Sequence, residues 1–389
     1  MTMRLSHYSL HFPAAEATPT TMLERYARQI ILPHFGESSQ AALLRAKVLV
    51  IGAGGLGCPA LQYLAAAGVG MIGIVDDDCV ELSNLHRQVL FTEDDIGKNK
   101  ATVAGERLRK INSKLVVQVI ENKVHVSNAA DIISSYDVVI DGSDNFPTRY
   151  LVNDVCALLK IPLVYGSVFR YEGQVSVFHC NDVQPVGRPA NYRDLFPIPP
   201  ALGEVPNCLE AGVIGVLTGI IGTMQASEAI KLLTGIGEVL ASKVLTYSML
   251  SNSMEIFEFA PHPEALSSAP GTLDELRQVQ YEAFCSNPHE VHEITWEDLD
   301  EHISKEEMLF LDVREADELP RLEKYSCISI PLRELRGRLH ELHSAQTIVV
   351  FCQSGNRSKV AVRELQQLST FRQVWSIQGG IAALVDSRI

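Results

Sequence analysis

The sequence lacks paired cysteines, a secretion signal and a long apolar run. Its eight cysteines are scattered, and no two form Cys-x-x-Cys, which argues against a zinc ribbon or a disulfide framework. The longest apolar run, Ala211 to Met224, is interrupted by Thr218 and is too short to span a bilayer. Residues Met1 to Met22 contain no continuous apolar stretch of the kind that directs secretion. We therefore expect a cytoplasmic protein that does not enter a membrane.

The chain also lacks an excess of basic residues. Its net charge of -14 argues against a general affinity for nucleic acid or for anionic membranes. The length of 389 residues exceeds what one compact core accommodates, so two or three domains are expected. Hydrophobic residues make up 46% and charged residues 21%, which is typical of a globular protein.

Short β-branched runs alternate with helical periods from Lys47 onward, which predicts an α/β fold with a Rossmann-like, mostly parallel sheet. An alternating segment, Gln174 to Phe178, extends this sheet, and a proline-rich crossover follows at Pro185 to Pro206. The predicted strands of this region are Lys47–Ile51, Met71–Val75, Leu115–Ile120, Asp137–Ile140, Pro162–Tyr165 and two antiparallel strands within Lys243–Phe259. The predicted helices are Leu56–Ala67, Lys98–Ile111, Ala129–Ser135, Pro147–Leu159 and Gly212–Leu233.

A second, smaller α/β pattern follows a linker that is centred on Pro261 to Gly271. The expected organisation is an N-terminal extension (1–22), a first domain (23–260), a linker (261–290) and a second domain (291–389). The second domain is predicted to contain helices at Trp296–His302, Leu332–Leu342 and Arg357–Leu368, and strands at Met308–Val313, Thr347–Phe351 and Gln373–Ile377.

A glycine-rich turn, Gly52-Ala53-Gly54-Gly55-Leu56-Gly57, joins the first predicted strand to a helix. Glycines in such a turn let the backbone approach phosphates, and the helix N-terminus supplies free N–H groups. Asp76 follows the second strand, where it is placed to accept hydrogen bonds from a ribose. By itself this motif indicates a nicotinamide-dependent oxidoreductase first.

Several charged motifs near the turn change that interpretation. The segment Ser83-Asn84-Leu85-His86-Arg87-Gln88 follows the acidic cluster Asp76 to Asp78, and Lys100 begins a helix. Asp144 and Asn145 close the fourth strand, and Arg25 and Arg28 lie upstream. A hydride-transfer site needs few cations, whereas a triphosphate needs several, together with a carboxylate that holds magnesium.

These motifs occur in a characteristic order along the chain. Because of them, residues Arg25 to about Phe259 resemble the family of molybdopterin-synthase adenylyltransferases, thiamine-pathway adenylyltransferases and ubiquitin-activating enzymes. The resemblance implies that ATP adenylates the C-terminal glycine of a ubiquitin-like protein. It places Asp76 at the ribose, Asp144 at Mg²⁺, and Arg28 at the nucleotide of a neighbouring subunit, which implies a homodimer. Asn84, Arg87 and Lys100 would contact the phosphates. The full candidate nucleotide site is Gly52, Gly54, Gly55, Gly57, Asp76, Asp78, Ser83, Asn84, Leu85, His86, Arg87, Lys100, Asp144 and Asn145.

Two further features of this domain concern thiols. Cys208 ends the proline-rich crossover just before a helix, where a thiol pKa tends to be lowered, and the resemblance makes it a thiol that bonds covalently to the activated carrier. Many family members hold zinc with two Cys-x-x-Cys pairs, the first just before Leu-Phe-Pro. Here Asn191 and Asp194 precede that tripeptide, and no second pair occurs near Pro261 to Ala265. We therefore predict that there is no zinc site.

In the second domain, a strand leads into the loop Cys352-Gln353-Ser354-Gly355-Asn356-Arg357-Ser358 and then into a helix. Backbone N–H groups and Arg357 would stabilise a thiolate or persulfide on Cys352. Four residues separate the cysteine from the arginine, which suits one sulfur atom better than a phosphate. Together with Asp312-Val313-Arg314 and Gly379-Gly380, this loop resembles single-domain rhodaneses over about Val291 to Ile389.

The fusion of the two domains predicts that a carrier ending in Gly-Gly is adenylated and then receives sulfur as a thiocarboxylate. A cysteine desulfurase is a candidate sulfur donor. The sequence does not choose among molybdopterin, thiamine and tRNA thiolation pathways. Two alternatives stay open at this point: a dehydrogenase with a rhodanese module, and a non-catalytic scaffold that binds a ubiquitin-fold protein.

Overall fold

The computed structural model describes residues 20–180, 188–197, 199, 212–262, 264–281, 291–299, 308–315, 318–322, 327–342, 347–367 and 373–386. These residues form two compact units, of which the first ends at Tyr281. Among them, no helix combines the length and the hydropathy that crossing a membrane requires.

The first unit is built on an eight-stranded sheet in the order β3-β2-β1-β4-β5-β6-β7-β8. Strands β1 to β5 run parallel, and β6 to β8 extend the sheet as antiparallel strands. This confirms the predicted fold class. The strands are β1 (Lys47–Ile51), β2 (Met71–Val75), β3 (Val116–Ile120), β4 (Val138–Asp141), β5 (Leu163–Phe169), β6 (Glu172–Phe178), β7 (Lys243–Ser248) and β8 (Ser253–Glu258).

Nine α-helices are described in this unit, and four of them, α1, α2, α7 and α9, were not predicted from the sequence. The longest, α8, packs against α3 and against strands β5 and β6. Short 3₁₀ turns at Leu82–Asn84 and Glu93–Asp95 follow β2. The helices are α1 (Thr20–Ile30), α2 (Gly36–Arg45), α3 (Gly57–Ala67), α4 (Lys100–Ile111), α5 (Ala129–Ile133), α6 (Phe146–Leu159), α7 (Tyr192–Leu195), α8 (Gly215–Thr234) and α9 (Leu273–Leu276).

The order of the strands places three candidate segments at one edge of the sheet. Strand β1 lies between β2 and β4, and Ile51 is in register with both Val75 and Asp141. The chain winds outward in one direction through β2 and β3, and in the other through β4 and β5. Ligands of open α/β sheets bind at such a reversal, beyond the carboxyl ends of the strands. The segments after β1, β2 and β4 therefore meet where a nucleotide is expected.

Part of the predicted linker packs onto the first unit. Leu276 and Tyr281 are buried, and the Tyr281 hydroxyl donates a hydrogen bond to Asp154 Oδ2 over 2.7 Å. Asp154 also forms a buried ion pair with Arg193, so residues 264–281 have a polar anchor as well as an apolar one.

The second unit contains a five-stranded parallel sheet in the order β11-β10-β12-β13-β9. The predicted helix Leu332–Leu342 is wrong: the segment forms two 3₁₀ turns, Leu332–Gly337 and Leu339–Leu342, each with a single buried leucine. Residues 296–298 form a turn, and residues 300–302 of the helix predicted there lie outside the described residues. The elements are β9 (His292–Ile294), β10 (Met308–Asp312), β11 (Cys327–Ser329), β12 (Thr347–Phe351), β13 (Gln373–Ile377), α10 (Asn356–Gln367) and α11 (Gly380–Asp386).

Candidate active sites

The glycine-rich turn is compact because two of its residues have no room for a side chain. Gly52 has a φ of +89°, a conformation that residues with a side chain rarely adopt. A Cβ at Gly57 would lie 1.9 Å from the Gly52 carbonyl oxygen. The turn therefore brings the N-terminus of α3 directly against the end of β1.

Asp76 connects this turn to the end of β2. Its carboxylate accepts hydrogen bonds from Ala53 N over 2.7 Å and from Asp78 N over 2.9 Å. Burial raises the pKa of Asp76, while the nearby charge of Lys100 and these backbone donors act in the opposite direction. Asp76 therefore lies beside the glycine-rich turn, and its contact with a ribose stays a prediction.

Lys100 is the first residue of α4, and its side chain is buried. Its Nζ lies 2.9 Å from Asp78 Oδ2, and the Asp78 side chain is 69% exposed. The Asn99 side chain caps the helix by accepting a hydrogen bond from Thr102 N. The amino group of a buried lysine is thus held at the edge where β1 and β2 end, and among the described residues its ion-pair partner is the exposed Asp78.

The segment Ser83 to Arg87 is a tight turn that holds its own side chains. Asn84 is buried and its Oδ1 accepts a hydrogen bond from Glu81 N over 3.2 Å. Arg87 Nη1 donates to the Ser83 carbonyl over 2.9 Å and lies 2.8 Å from His86 Nε2. Leu85 is half-buried, and Ser83 and His86 are exposed.

Helix α8 joins this segment to the glycine-rich turn. A Cβ at Gly215 would lie 2.1 Å from the His86 carbonyl oxygen, so the helix approaches that backbone closely. The side chain of Thr218 lies 3.1 Å from where a Cβ of Gly55 would be, and its hydroxyl is 3.5 Å from the Arg87 carbonyl. Thr218 therefore contacts both Gly55 and the Arg87 backbone, so the glycine-rich turn and the segment Ser83 to Arg87 lie side by side.

Asp144 and Asn145 follow β4 and are both exposed. The N–H of Gly142 donates to Ile51 O over 2.8 Å, which fixes this segment against the end of β1. Asn145 caps α6 by accepting a hydrogen bond from Thr148 N over 3.0 Å. Asp144 therefore lies at the same edge as the glycine-rich turn, with its carboxylate open to a ligand.

Two predicted site residues are not joined to this group. Arg28 is exposed on α1, and none of the hydrogen bonds described for the chain links it to the glycine-rich turn. Cys208 lies outside the described residues.

Gln88 ends the motif Ser83 to Gln88 and lies beside the glycine-rich turn, but it was not among the predicted site residues. It is buried, and the surroundings given by the described residues offer its Oε1 no hydrogen-bond partner. Its Nε2 lies 3.7 Å from where a Cβ of Gly54 would be. An unpartnered buried amide is costly, so this position favours a bound group that donates a hydrogen bond. Its position in the motif Ser83 to Gln88 is the feature of the sequence that could have identified it.

An ion pair joins the segment before Leu195-Phe196-Pro197 to His262, close to where the sequence analysis looked for a second cysteine pair. Arg188 and Asp194 form a bidentate pair with N–O distances of 2.7 and 2.6 Å. The His262 N–H donates to Asp194 over 2.8 Å, and Arg188 donates to the His262 carbonyl over 2.9 Å. Asn191 Oδ1 accepts from Asn153 and from a backbone N–H. These residues do not fit a closed zinc site, because they supply no thiolates and their oxygens already have partners.

The second candidate site surrounds Cys352, which lies between β12 and α10 and is only 1% exposed. The Gly355 N–H donates to Cys352 Sγ over 3.2 Å, and the Ser358 hydroxyl lies 3.7 Å from the sulfur. Gly380 packs against the base of the loop, where a Cβ would lie 2.4 Å from the Cys352 carbonyl oxygen. The Gly355 N–H is therefore aimed at the sulfur, as an anion requires, whereas the Ser358 hydroxyl accepts from the thiol and donates to the Gly355 carbonyl over 2.9 Å.

Two arginines, Arg357 within the loop and Arg314 after β10, form ion pairs that hold the Cys352 loop. Arg357 forms a bidentate ion pair with Glu318, with N–O distances of 2.5 and 2.7 Å. Arg314 forms a buried ion pair with Asp312 and donates to the Gln353 side chain over 3.3 Å. The Asp-Val-Arg triplet thus orients the loop through Arg314. Glu318 was missed by the sequence analysis, since nothing local marks it as a partner of Arg357.

The fold and the two sites define a nucleotide-binding α/β unit fused to a sulfurtransferase-type thiol loop. Comparison with known proteins agrees with both. The ThiF family model matches residues 26–268, and the rhodanese-like domain model matches residues 295–387. The chain belongs to the ThiF family and carries a C-terminal rhodanese-like domain.

Several curated proteins are similar over most of the chain. The sulfur carrier protein adenylyltransferase of Thermus thermophilus is 49% identical over 266 residues, covering 68% of this chain and 96% of that protein. The probable adenylyltransferase/sulfurtransferase MoeZ of Mycobacterium tuberculosis is 40% identical and covers 95% of this chain and 94% of its own. The adenylyltransferase and sulfurtransferase MOCS3 of Arabidopsis thaliana is 37% identical, with 92% and 82% covered.

Among solved structures, Escherichia coli MccB has the same fold as the first unit. Its TM-score is 0.54 at 22% sequence identity, and the match covers 63% of this chain and 72% of that chain.

Proposed function

We propose that this chain activates the C-terminal glycine of a ubiquitin-like sulfur-carrier protein with ATP and then transfers sulfur to it from a persulfide on Cys352. The observation that carries this proposal is the presence of both sites in one chain whose full-length relatives are named adenylyltransferase and sulfurtransferase. The family match favours adenylation over the dehydrogenase alternative.

In the adenylation step, the free N–H groups at the start of α3 would bind phosphate. The incoming carboxylate and the triphosphate repel each other, so cations must offset their charge as the α-phosphate is attacked. Lys100 and Arg87 are the candidates, and Lys100 becomes available when a phosphate displaces the exposed Asp78 carboxylate. Asp76 retains lone pairs beyond its two backbone donors and would accept from the ribose hydroxyls.

The open carboxylate of Asp144 suits Mg²⁺, which prefers oxygen ligands and is commonly held by one or two carboxylates together with substrate phosphates. When bound, the metal would supply positive charge beside the reacting phosphate.

In the sulfur-transfer step, the Cys352 persulfide would attack the acyl-adenylate, expel AMP and form an acyl disulfide. A second thiolate that attacks the Cys352 sulfur of this bond would release the thiocarboxylate and leave a disulfide on the enzyme. We propose Cys208 as that thiolate, on the basis of its sequence position alone.

The proposal includes three further elements. The chain acts as a homodimer, with Arg28 reaching the partner's nucleotide, and a cysteine desulfurase supplies the sulfur. No zinc is bound, because the ion pair of Arg188 and Asp194 links the two segments that zinc would otherwise join. Elemental analysis that finds one zinc per chain would contradict this last point.

Pyrophosphate exchange tests the adenylation step directly. Labelled pyrophosphate should enter ATP only in the presence of a carrier ending in Gly-Gly. Asp144→Ala should reduce exchange by at least about a hundredfold, because removal of one group that stabilises transition-state charge has that order of effect. Cys352→Ala is the matched control and should exchange at the wild-type rate. Exchange without a carrier, or undiminished exchange by Asp144→Ala, would contradict the assignment.

A further inference from the structure

Glu318 is the only described acidic residue that binds Arg357 directly, through both carboxylate oxygens at 2.5 and 2.7 Å. The Glu315 N–H donates to Glu318 Oε1 over 2.9 Å, so the carboxylate is itself held by the backbone. Both side chains are partly exposed, at 37% for Arg357 and 28% for Glu318. The pair therefore lies at the surface of the Cys352 loop.

The neighbouring charges are already engaged elsewhere. Arg314 is fully buried and paired with Asp312, and Glu315 pairs with Arg333 over 3.0 Å. The bond to Arg357 lowers the pKa of Glu318 to about 2, so the carboxylate is ionised at neutral pH. Arg357 belongs to the Cys352 loop: Gly355, two residues before it, donates its N–H to the Cys352 sulfur, and Ser358, directly after it, contacts the sulfur through its hydroxyl.

We propose that Glu318 is a positioning residue for sulfur transfer, which fixes the Arg357 guanidinium beside Cys352 and withholds two of its N–H groups from anionic sulfur donors. The inference rests on the proposed sulfur-transfer function. A guanidinium has five N–H groups, and Glu318 occupies one on each terminal nitrogen. The remaining groups would face the loop, where negative charge resides on the thiolate or the persulfide.

Thiosulfate is a suitable probe because it is a dianion and needs no partner protein. The Cys352 thiolate attacks its outer sulfur, a new sulfur–sulfur bond forms, and the original bond breaks with its electron pair leaving on sulfite. The enzyme becomes a persulfide, and cyanide then removes the sulfur as thiocyanate and regenerates the thiolate. Sulfur and charge balance in both steps, and no further oxidant or reductant is required.

Glu318→Gln keeps the shape of the side chain and removes its charge. Arg357 is then held less firmly, so kcat should fall by about tenfold, an effect typical of lost positioning. The freed N–H groups should at the same time bind thiosulfate more tightly, so KM should fall severalfold and become more sensitive to ionic strength. A variant that simply unfolds would lose kcat without any decrease in KM.

Two controls separate positioning from general charge or stability effects. Glu315→Gln removes a nearby charge that is paired with Arg333 and should leave kcat and KM within about twofold of wild type. If Glu318 acts through Arg357, Glu318→Gln should have no further effect in an Arg357→Gln background, because the two changes then share one interaction.

The outcomes distinguish this inference from the proposed function. If the wild-type chain gains the mass of one sulfur atom on Cys352 neither from thiosulfate nor from a cysteine-desulfurase persulfide, the sulfur-transfer function and the inference both fail; loading by the desulfurase alone contradicts only the inference. If the wild type is loaded but Glu318→Gln has unchanged kcat and KM, or acts equally in the Arg357→Gln background, the inference alone fails. Pyrophosphate exchange should be unaltered in every variant, since the first unit contains that chemistry.

Discussion

His179 makes the stability of the first unit depend on pH. The ring is buried, and its Nε2 donates to Asn153 Oδ1 over 3.1 Å, next to the ion pair of Arg188 and Asp194. Burial lowers the pKa of His179 to about 3, so the native ring is neutral where the unfolded ring, with a pKa of 6.5, becomes charged.

This shift has a defined sign. Between pH 6.5 and pH 3 the unfolded chain binds a proton that the folded chain does not, so the free energy of unfolding falls as the pH falls through this range. The contribution approaches about 1.4 kcal/mol per pH unit. His179→Gln keeps an N–H donor for Asn153 and removes the titration. Urea unfolding of the first unit should show that the free energy of unfolding falls less between pH 7.5 and pH 5.5 in the variant than in the wild type. An equal decrease in both would contradict this account.

At the scale of elements, the glycine-rich turn requires glycine most strictly at position 57. Gly57→Ala would place a Cβ 1.9 Å from the Gly52 carbonyl oxygen, and neither backbone segment can move without displacing β1 or α3. Overpacking of this kind costs about 1–3 kcal/mol or more. The melting temperature of the first unit should therefore fall by several degrees.

Gly54→Ala is the matched control for the fold. Its Cβ would meet only Gln88 Nε2, at an ordinary contact distance of 3.7 Å. Differential scanning calorimetry should find this variant as stable as wild type. Equal melting temperatures for both variants would show that the turn is looser than the structure indicates.

The elements that the sequence predicted well are those whose signals are local. The bounds of β1, β2, β12 and β13 match the prediction, because β-branched runs mark buried strands. The three-residue strands β9 and β11 were missed, since so short a segment is defined by its neighbours in the sheet. Leu332 to Leu342 has leucines at helical spacing, but it forms two 3₁₀ turns that each bury one of them.

The residues of the two candidate sites also divide into those that local sequence signals predict and those that only the folded chain brings together. The grouping of Asp76 and Lys100 around the glycine-rich turn followed from their positions at strand and helix ends. The pairing of Arg357 with Glu318 joins residues that are 39 positions apart, and the Arg188 contact to the His262 carbonyl joins residues 74 apart. Such contacts depend on the folded chain path, so no local pattern predicts them.

For the whole molecule, the account assigns two chemical steps to two separately folded units. Each unit has its own sheet and core, and each contains one of the two candidate sites. The expected separation of function follows: a change at Asp144 should block adenylation without affecting the loading of Cys352 with sulfur, and a change at Cys352 should do the reverse.

The mass of the carrier after a complete reaction tests the central claim most directly. With ATP, Mg²⁺, a carrier ending in Gly-Gly and a sulfur donor, the wild-type chain should yield a carrier heavier by the difference between sulfur and oxygen. Cys352→Ala should yield none of this thiocarboxylate while retaining pyrophosphate exchange. Cys208→Ala should retain both exchange and sulfur loading but form the thiocarboxylate slowly. Thiocarboxylate formed at the wild-type rate by Cys352→Ala would contradict the account, because the sulfur would then reach the adenylate without the rhodanese-like domain.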